Sequence, residues 1–95
     1  MAAISKTVLK VKPGKVQEVV KQLNSASDRA SGIEGLNGFG FAVTGNDEIT
    51  AFGVYDSVAA SESAASLVSA VFSELGPMIS EPPQRGVFEG SWFSM

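Results

Sequence analysis

The stretch from Gly35 to Ser57, GLNGFGFAVTGNDEITAFGVYDS, constrains the fold more than any other part of the chain. Two runs rich in Phe, Val, Ile, Thr and Tyr flank the polar tetrad Gly45-Asn46-Asp47-Glu48. Aromatic and β-branched residues suit a pleated, half-buried surface. Gly, Asn and Asp tolerate positive φ or bond their own backbone, so the stretch predicts a tight hairpin. In its first strand, about 39–43, Phe39, Phe41 and Val43 share one face, and Gly38, Gly40 and Ala42 the other. In the second, about 48–55, Ile49, Ala51, Gly53 and Tyr55 oppose Thr50, Phe52 and Val54. Small residues along one face leave room either for a closely packed helix or for a ligand.

Each side of the hairpin carries a helix and a further strand. Residues 3–11 alternate, with Ser5, Thr7, Leu9 and Val11 directed to the core and Lys6 and Lys10 at the rim or in solvent. Pro13-Gly14 stops that strand. From Gly14 to about Ser31, Val16, Val19, Val20, Leu23, Ser27 and Ala30 form one helical stripe, closed by Gly32. After a cap at Asp56 or Ser57, Ala64, Val68, Val71, Phe72 and Leu75 form a second stripe opposite a Ser-rich face. Gly76-Pro77 ends it, and Arg85–Phe93 reads as a last strand. The order is β-α-β-β-α-β: an α+β, ferredoxin-like, antiparallel four-stranded sheet with two helices on one face. One domain, residues 1–95, accounts for the whole length.

Such a sheet leaves its second face bare. Phe39, Phe41, Phe52, Tyr55, Phe88 and Trp92 are divided between the two faces, and the helices cover only one. An exposed aromatic face on a monomer is a large apolar patch, so a homodimer through the open sheet face is expected. With no Cys there is no disulfide to stabilise a chain this short.

Composition narrows the chemistry. The chain has no His and no Cys, which removes the usual general base, the Ser-His-Asp and Cys-His nucleophilic systems and the commonest metal ligands. Neither a metal site nor a cofactor is expected. A net charge of −3 and a pI near 4.7 argue against nucleic acid as a partner. Lys6, Lys10 and Lys12 interrupt any apolar leader, and no apolar run approaches the ~20 residues that span a bilayer. The expected location is the cytoplasm, away from membranes.

Five residues stand out as candidate ligand contacts: Thr7, Phe41, Tyr55, Arg85 and Trp92. Tyr55 offers a phenol for proton transfer and a ring for stacking, which makes it the one catalytic candidate; packing at the strand end is the alternative. Trp92 suits a pocket or an interface. Arg85 can hold a carboxylate or an enolate oxygen through two donors, or a surface acid. Thr7 and Asn37 can hydrogen-bond a ligand near a cleft. Glu89, read as mid-strand, calls for a partner among Lys6, Lys10 and Arg85. The other acids read as turn or cap residues, and GLNGFG lacks the helix and Lys of a phosphate loop.

Three segments, VKPGKVQEVVKQL (11–23), GIEGLNGFGF (32–41) and DEITAFGVYDSVAAS (47–61), resemble the antibiotic-biosynthesis-monooxygenase-like branch of the dimeric α+β barrel superfamily. The resemblance implies a homodimer whose two sheets form a barrel, with a ligand cleft between helices and sheet in each subunit. It also implies one of several activities: cofactor-independent oxygenation of polycyclic aromatics, haem degradation, or none known. Active members use an Asn on the first strand, a Trp where the third strand exits and often a His on the second helix. Here Thr7 stands near the Asn position and Tyr55 at the Trp position. No His is available for the third, which counts against the His-dependent haem chemistry. Two functions are therefore expected. The first is non-catalytic binding of a small apolar or aromatic molecule. The alternative is a cofactor-independent monooxygenase acting on a hydroxylated aromatic or quinol.

Overall fold

Strict alternation makes the first strand. In the computed structural model, which covers residues 1–95, β1 (Ala2–Lys10) buries Ala3, Ser5, Thr7 and Leu9 and leaves Lys6 and Lys10 in solvent. β2 (Leu36–Gly45), β3 (Glu48–Tyr55) and β4 (Gln84–Gly90) complete an antiparallel sheet in the order β2-β3-β1-β4. This is the expected ferredoxin-like arrangement. The hairpin forms as its composition requires, with a turn over Gly45–Glu48 that uses no positive φ. A slip in the pairing between Val43 and Gly45 adjusts the register instead.

Both helical limbs are broken at an alanine. The first divides into α1 (Val16–Ser25) and α2 (Ser27–Ser31), the second into α3 (Val58–Ser63) and α4 (Ala65–Ser73). A serine makes a local side-chain bond close to each break. The Ser25 hydroxyl donates to the Gln22 carbonyl at 2.7 Å, and the Ser61 hydroxyl to the Val58 carbonyl at 2.7 Å. Each offers the backbone an alternative to the regular ladder. Ala26 is buried and Ser27, expected on the stripe, is exposed, because Val19, Leu23, Ala26 and Ile33 keep the regular helical spacing across the break. The second stripe holds: Ala64, Val68, Phe72 and Leu75 are buried, and Ser57 is the N-cap, its Oγ accepting from the Ala60 N–H at 3.1 Å.

The core lies between these helices and one sheet face, where Leu9, Ile49, Ala51 and Tyr55 meet Val19, Leu23, Val68, Phe72 and Leu75. Each large side chain so buried contributes ~1.5–3 kcal/mol. Gly35, at φ +81°, admits the hairpin under α3: a Cβ there would stand 2.8 Å from the Ala60 Cβ. A fork from Arg29 to both carboxylate oxygens of Glu74 ties α2 to the end of α4.

The other sheet face has no cover within the chain. Ile4, Val8 and Val54 are half-buried there, while Phe52 and Phe88 are 41% and 61% exposed. The ring of Phe88 lies over Gly86, and the space above Gly38 and Gly40 is empty. The chain exposes 5655 Å², against about 5,200 Å² for an ordinary folded monomer of this mass. The last strand stops at Gly90, so Trp92 and Phe93, expected within it, lie beyond the ladder, outside any regular element. No helix is long and apolar enough to cross a membrane.

Candidate functional site

The sheet register sets out the site. Across the helix-covered face, Phe41 pairs with Ala51, Ala51 with Thr7, and Thr7 with Arg85, one transverse row through all four strands. The middle of the row carries only small side chains, and beside it α4 passes over the sheet. Between α4 and the β1–β4 half of the row lies an open cleft of about 390 Å³. Thr7 and Arg85 form part of its floor, and Ala65, Val68, Ser69, Phe72 and Ser73 of α4 form one wall. Gly76, Ile79 and Pro83 close its end. Its volume falls in the range of small-molecule sites.

Arg85 is the unusual member of this lining. Its Nε and Nη2 are withdrawn from solvent and have no hydrogen-bond partner. The ion pairs of the chain are Lys10–Glu48, Lys15–Glu18 and Arg29–Glu74, none of which involves Arg85. A charged group with two buried, unpaired donors is costly, and native structures generally satisfy such groups.

Tyr55 is placed elsewhere. It is only 1% exposed and borders a separate, small apolar space of about 20 Å³ with Phe39, Leu36 and Ile33. Val68 and Phe72 line both spaces, so the buried stripe of α4 is the partition between them. Of the five candidates, the structure therefore brings Thr7 and Arg85 together. Phe41 packs half-buried against the core, at the far end of the row. Trp92, 43% exposed beyond β4, borders neither space. The amide of Asn37 donates to the Asp56 carboxylate at 2.8 Å, a bond between the start of β2 and the turn after β3.

Glu89 is exposed and pairs with Ala3 across the ladder, so it forms none of the ion pairs expected of it. Lys10 instead meets Glu48, whose carboxyl is held below the usual carboxylate range by hydrogen bonds from Lys10 and Thr44. The hydrogen bond with Arg29 lowers Glu74 in the same way. Both acids lie outside the cleft. Sequence reading missed Ser69 and Ser73 as cleft residues. Their signal was present in the small, weakly polar face of the second helix.

Scans against protein-family models and curated proteins find no match. Solved structures do match, over nearly the full length. A protein of unknown function from Nitrosomonas europaea is 18% identical, with a TM-score of 0.85 over 99% of this chain and 93% of its own. An antibiotic-biosynthesis-monooxygenase-like protein from Bordetella bronchiseptica gives 15% identity and a TM-score of 0.78, covering 96% of this chain and 98% of its own. SnoaB, a cofactor-independent oxygenase from Streptomyces nogalater whose structure is that of a point mutant, gives 10% identity and 0.77, covering 97% and 95%. Identities this low speak to architecture alone. The chain thus has the ferredoxin-like α+β fold of the antibiotic-biosynthesis-monooxygenase-like proteins.

Proposed function

We propose that the protein binds a small apolar or aromatic molecule in the cleft beneath α4 and works as a homodimer joined through its open sheet face. The observation that carries the binding reading is the cleft itself. It is of small-molecule size, walled by Val68, Phe72 and Ile79, with the hydroxyl-bearing Thr7 and the cationic Arg85 at its floor. Apolar walls with a few convergent polar groups are the usual anatomy of such sites. The bare face bearing Phe52 and Phe88 supports the dimer, because a second copy is the self-complementary way to cover it.

The cofactor-independent oxygenase remains a second reading, supported by the likeness in fold to SnoaB. On that reading the cleft would hold a hydroxylated aromatic or quinol as its anion, in a dry apolar setting. Tyr55 stands behind Val68 and Phe72, which disfavours it as the group that handles the substrate proton.

Thermal unfolding with a panel of quinols, hydroxylated polycyclic aromatics, flavins, haem and fatty acids tests binding. A ligand at ~100 times its dissociation constant adds ~2.7 kcal/mol if it binds only the folded state. A shift with no oxygen uptake supports the binding protein, and a shift with uptake supports the oxygenase. A panel without any shift overturns both.

A further inference from the structure

Resting on the reading that the cleft beneath α4 binds a small molecule, we propose that its ligand is an organic monocarboxylate with a short apolar or aromatic body. The carboxylate would be gripped by Nε and Nη2 of Arg85. These two nitrogens form one edge of the guanidinium, with parallel N–H bonds spaced to meet the two oxygens of a carboxylate. They are also the two side-chain atoms of the chain that are buried without a hydrogen-bond partner. The unmet demand is thus for one planar, two-oxygen acceptor.

Arg29 supplies the internal contrast. Its guanidinium faces a similar demand and meets it with both oxygens of Glu74, at the surface. At Arg85 the chain provides no acid, although it carries ten. The acceptor therefore comes from outside. The cleft that Arg85 lines is walled by Val68, Phe72 and Ile79, so a charge pairing within it takes place beside apolar surface, where it is stronger than in water. A benzene ring needs a cavity of about 150 Å³. About 390 Å³ of open cleft then sets the body at one or two rings, or an aliphatic chain of similar bulk. Thr7, directly opposite Arg85 in the ladder, offers a hydroxyl beside the same acceptor.

The test compares 2-naphthoate with its neutral counterpart 2-naphthamide, titrated into the intact protein by calorimetry and by amide NMR shifts. On the wild type, the naphthoate should bind at least about tenfold more tightly, with shifts centred on Thr7, Ser69 and Arg85. Arg85→Lys keeps the charge and loses the fork, so most of the preference should disappear. Arg85→Met should bind the two probes equally, and its thermal unfolding confirms that it is folded. Equal binding of both probes to the wild type overturns the carboxylate assignment and leaves the cleft reading standing. Binding of neither overturns the cleft reading, and the carboxylate with it. Displacement of naphthoate by equimolar inorganic phosphate would also overturn the assignment, since it would show a site for anions in general.

Discussion

Thr7 and Tyr55 project from the same face of the sheet and serve different spaces, separated by the Val68–Phe72 stripe of α4. The separation divides the roles that the sequence suggested for them. Thr7 belongs with a site, Tyr55 with the core.

For Tyr55 this gives a clear expectation. Tyr55→Phe should leave ligand binding in the cleft unchanged and alter stability by less than ~1.5 kcal/mol, as volume-conserving core substitutions do. Tyr55→Ala should cost ~3–5 kcal/mol, as truncation of a buried aromatic does. Urea unfolding of both variants, beside a cleft titration of the first, checks the division.

Arg85 should trade stability for binding. Replacing it by Met removes two buried donors that have no partner and keeps the apolar contacts of the side-chain stem. The free protein should gain ~1 kcal/mol, the lower end of the cost of an unsatisfied buried group. For a domain of this length that raises Tm by ~4–8 °C. A lower Tm in the variant would mean that the guanidinium is satisfied in the free protein.

Gly35 and Gly14 form a matched pair for measuring how closely the hairpin meets α3. Both have positive φ, +81° and +79°, so Ala at either is strained by ~1–3 kcal/mol. A Cβ at Gly14 meets nothing within 4 Å, whereas at Gly35 it would collide with Ala60. Gly35→Ala should therefore be the more destabilising of the two, by denaturant midpoints at constant slope. Gly35→Ala combined with Ala60→Gly should recover part of the difference.

Acid should weaken the protein through Glu48 and Glu74. Hydrogen bonds from Lys10 and Thr44 lower the first, and a hydrogen bond from Arg29 lowers the second. Each contributes stability that is present above the ordinary glutamate range and lost as pH falls through its lowered folded value. Both pairs are solvent-exposed, so the effect is small and screened by salt. Tm measured from pH 6 down to pH 3 should fall less steeply in Glu74→Gln than in the wild type.

The proposed dimer rests on the open face. Sedimentation of the wild type should give twice the 9.9 kDa of one chain. Phe88→Lys, at the most exposed aromatic of that face, should shift the mass to a monomer without loss of the cleft. A wild-type mass of a single chain would remove the dimer.

Much of the fold could be read directly from residue pattern. Alternation along β1, and along β3 except at Thr50, decided which side chains are buried, because a sheet covered on one face sorts residues by parity. Breaks at Ala26 and Ala64 were not legible, since the apolar period runs on through them and the competing bonds come from serines that also suit exposed helix positions. The end of β4 was missed because Trp92 and Phe93 continue the alternation after the ladder has stopped. The site was half legible. Thr7 and Arg85 were singled out by chemistry, but only the register makes them neighbours. That Tyr55 lies behind a helix depends on where α4 crosses the sheet, a tertiary fact with no local signal.

Tyr55 and Trp92 are each the sole residue of their kind in the chain, one sealed in the core and the other out beyond the last strand. The protein thereby carries two optical reporters with separate duties. Indole emission follows what happens at the tail and the surface around it, while the near-ultraviolet dichroism of the phenol follows the packed interior. Changes at the tail and unfolding of the core can then be watched in one cuvette, without a label, as two signals that need not move together.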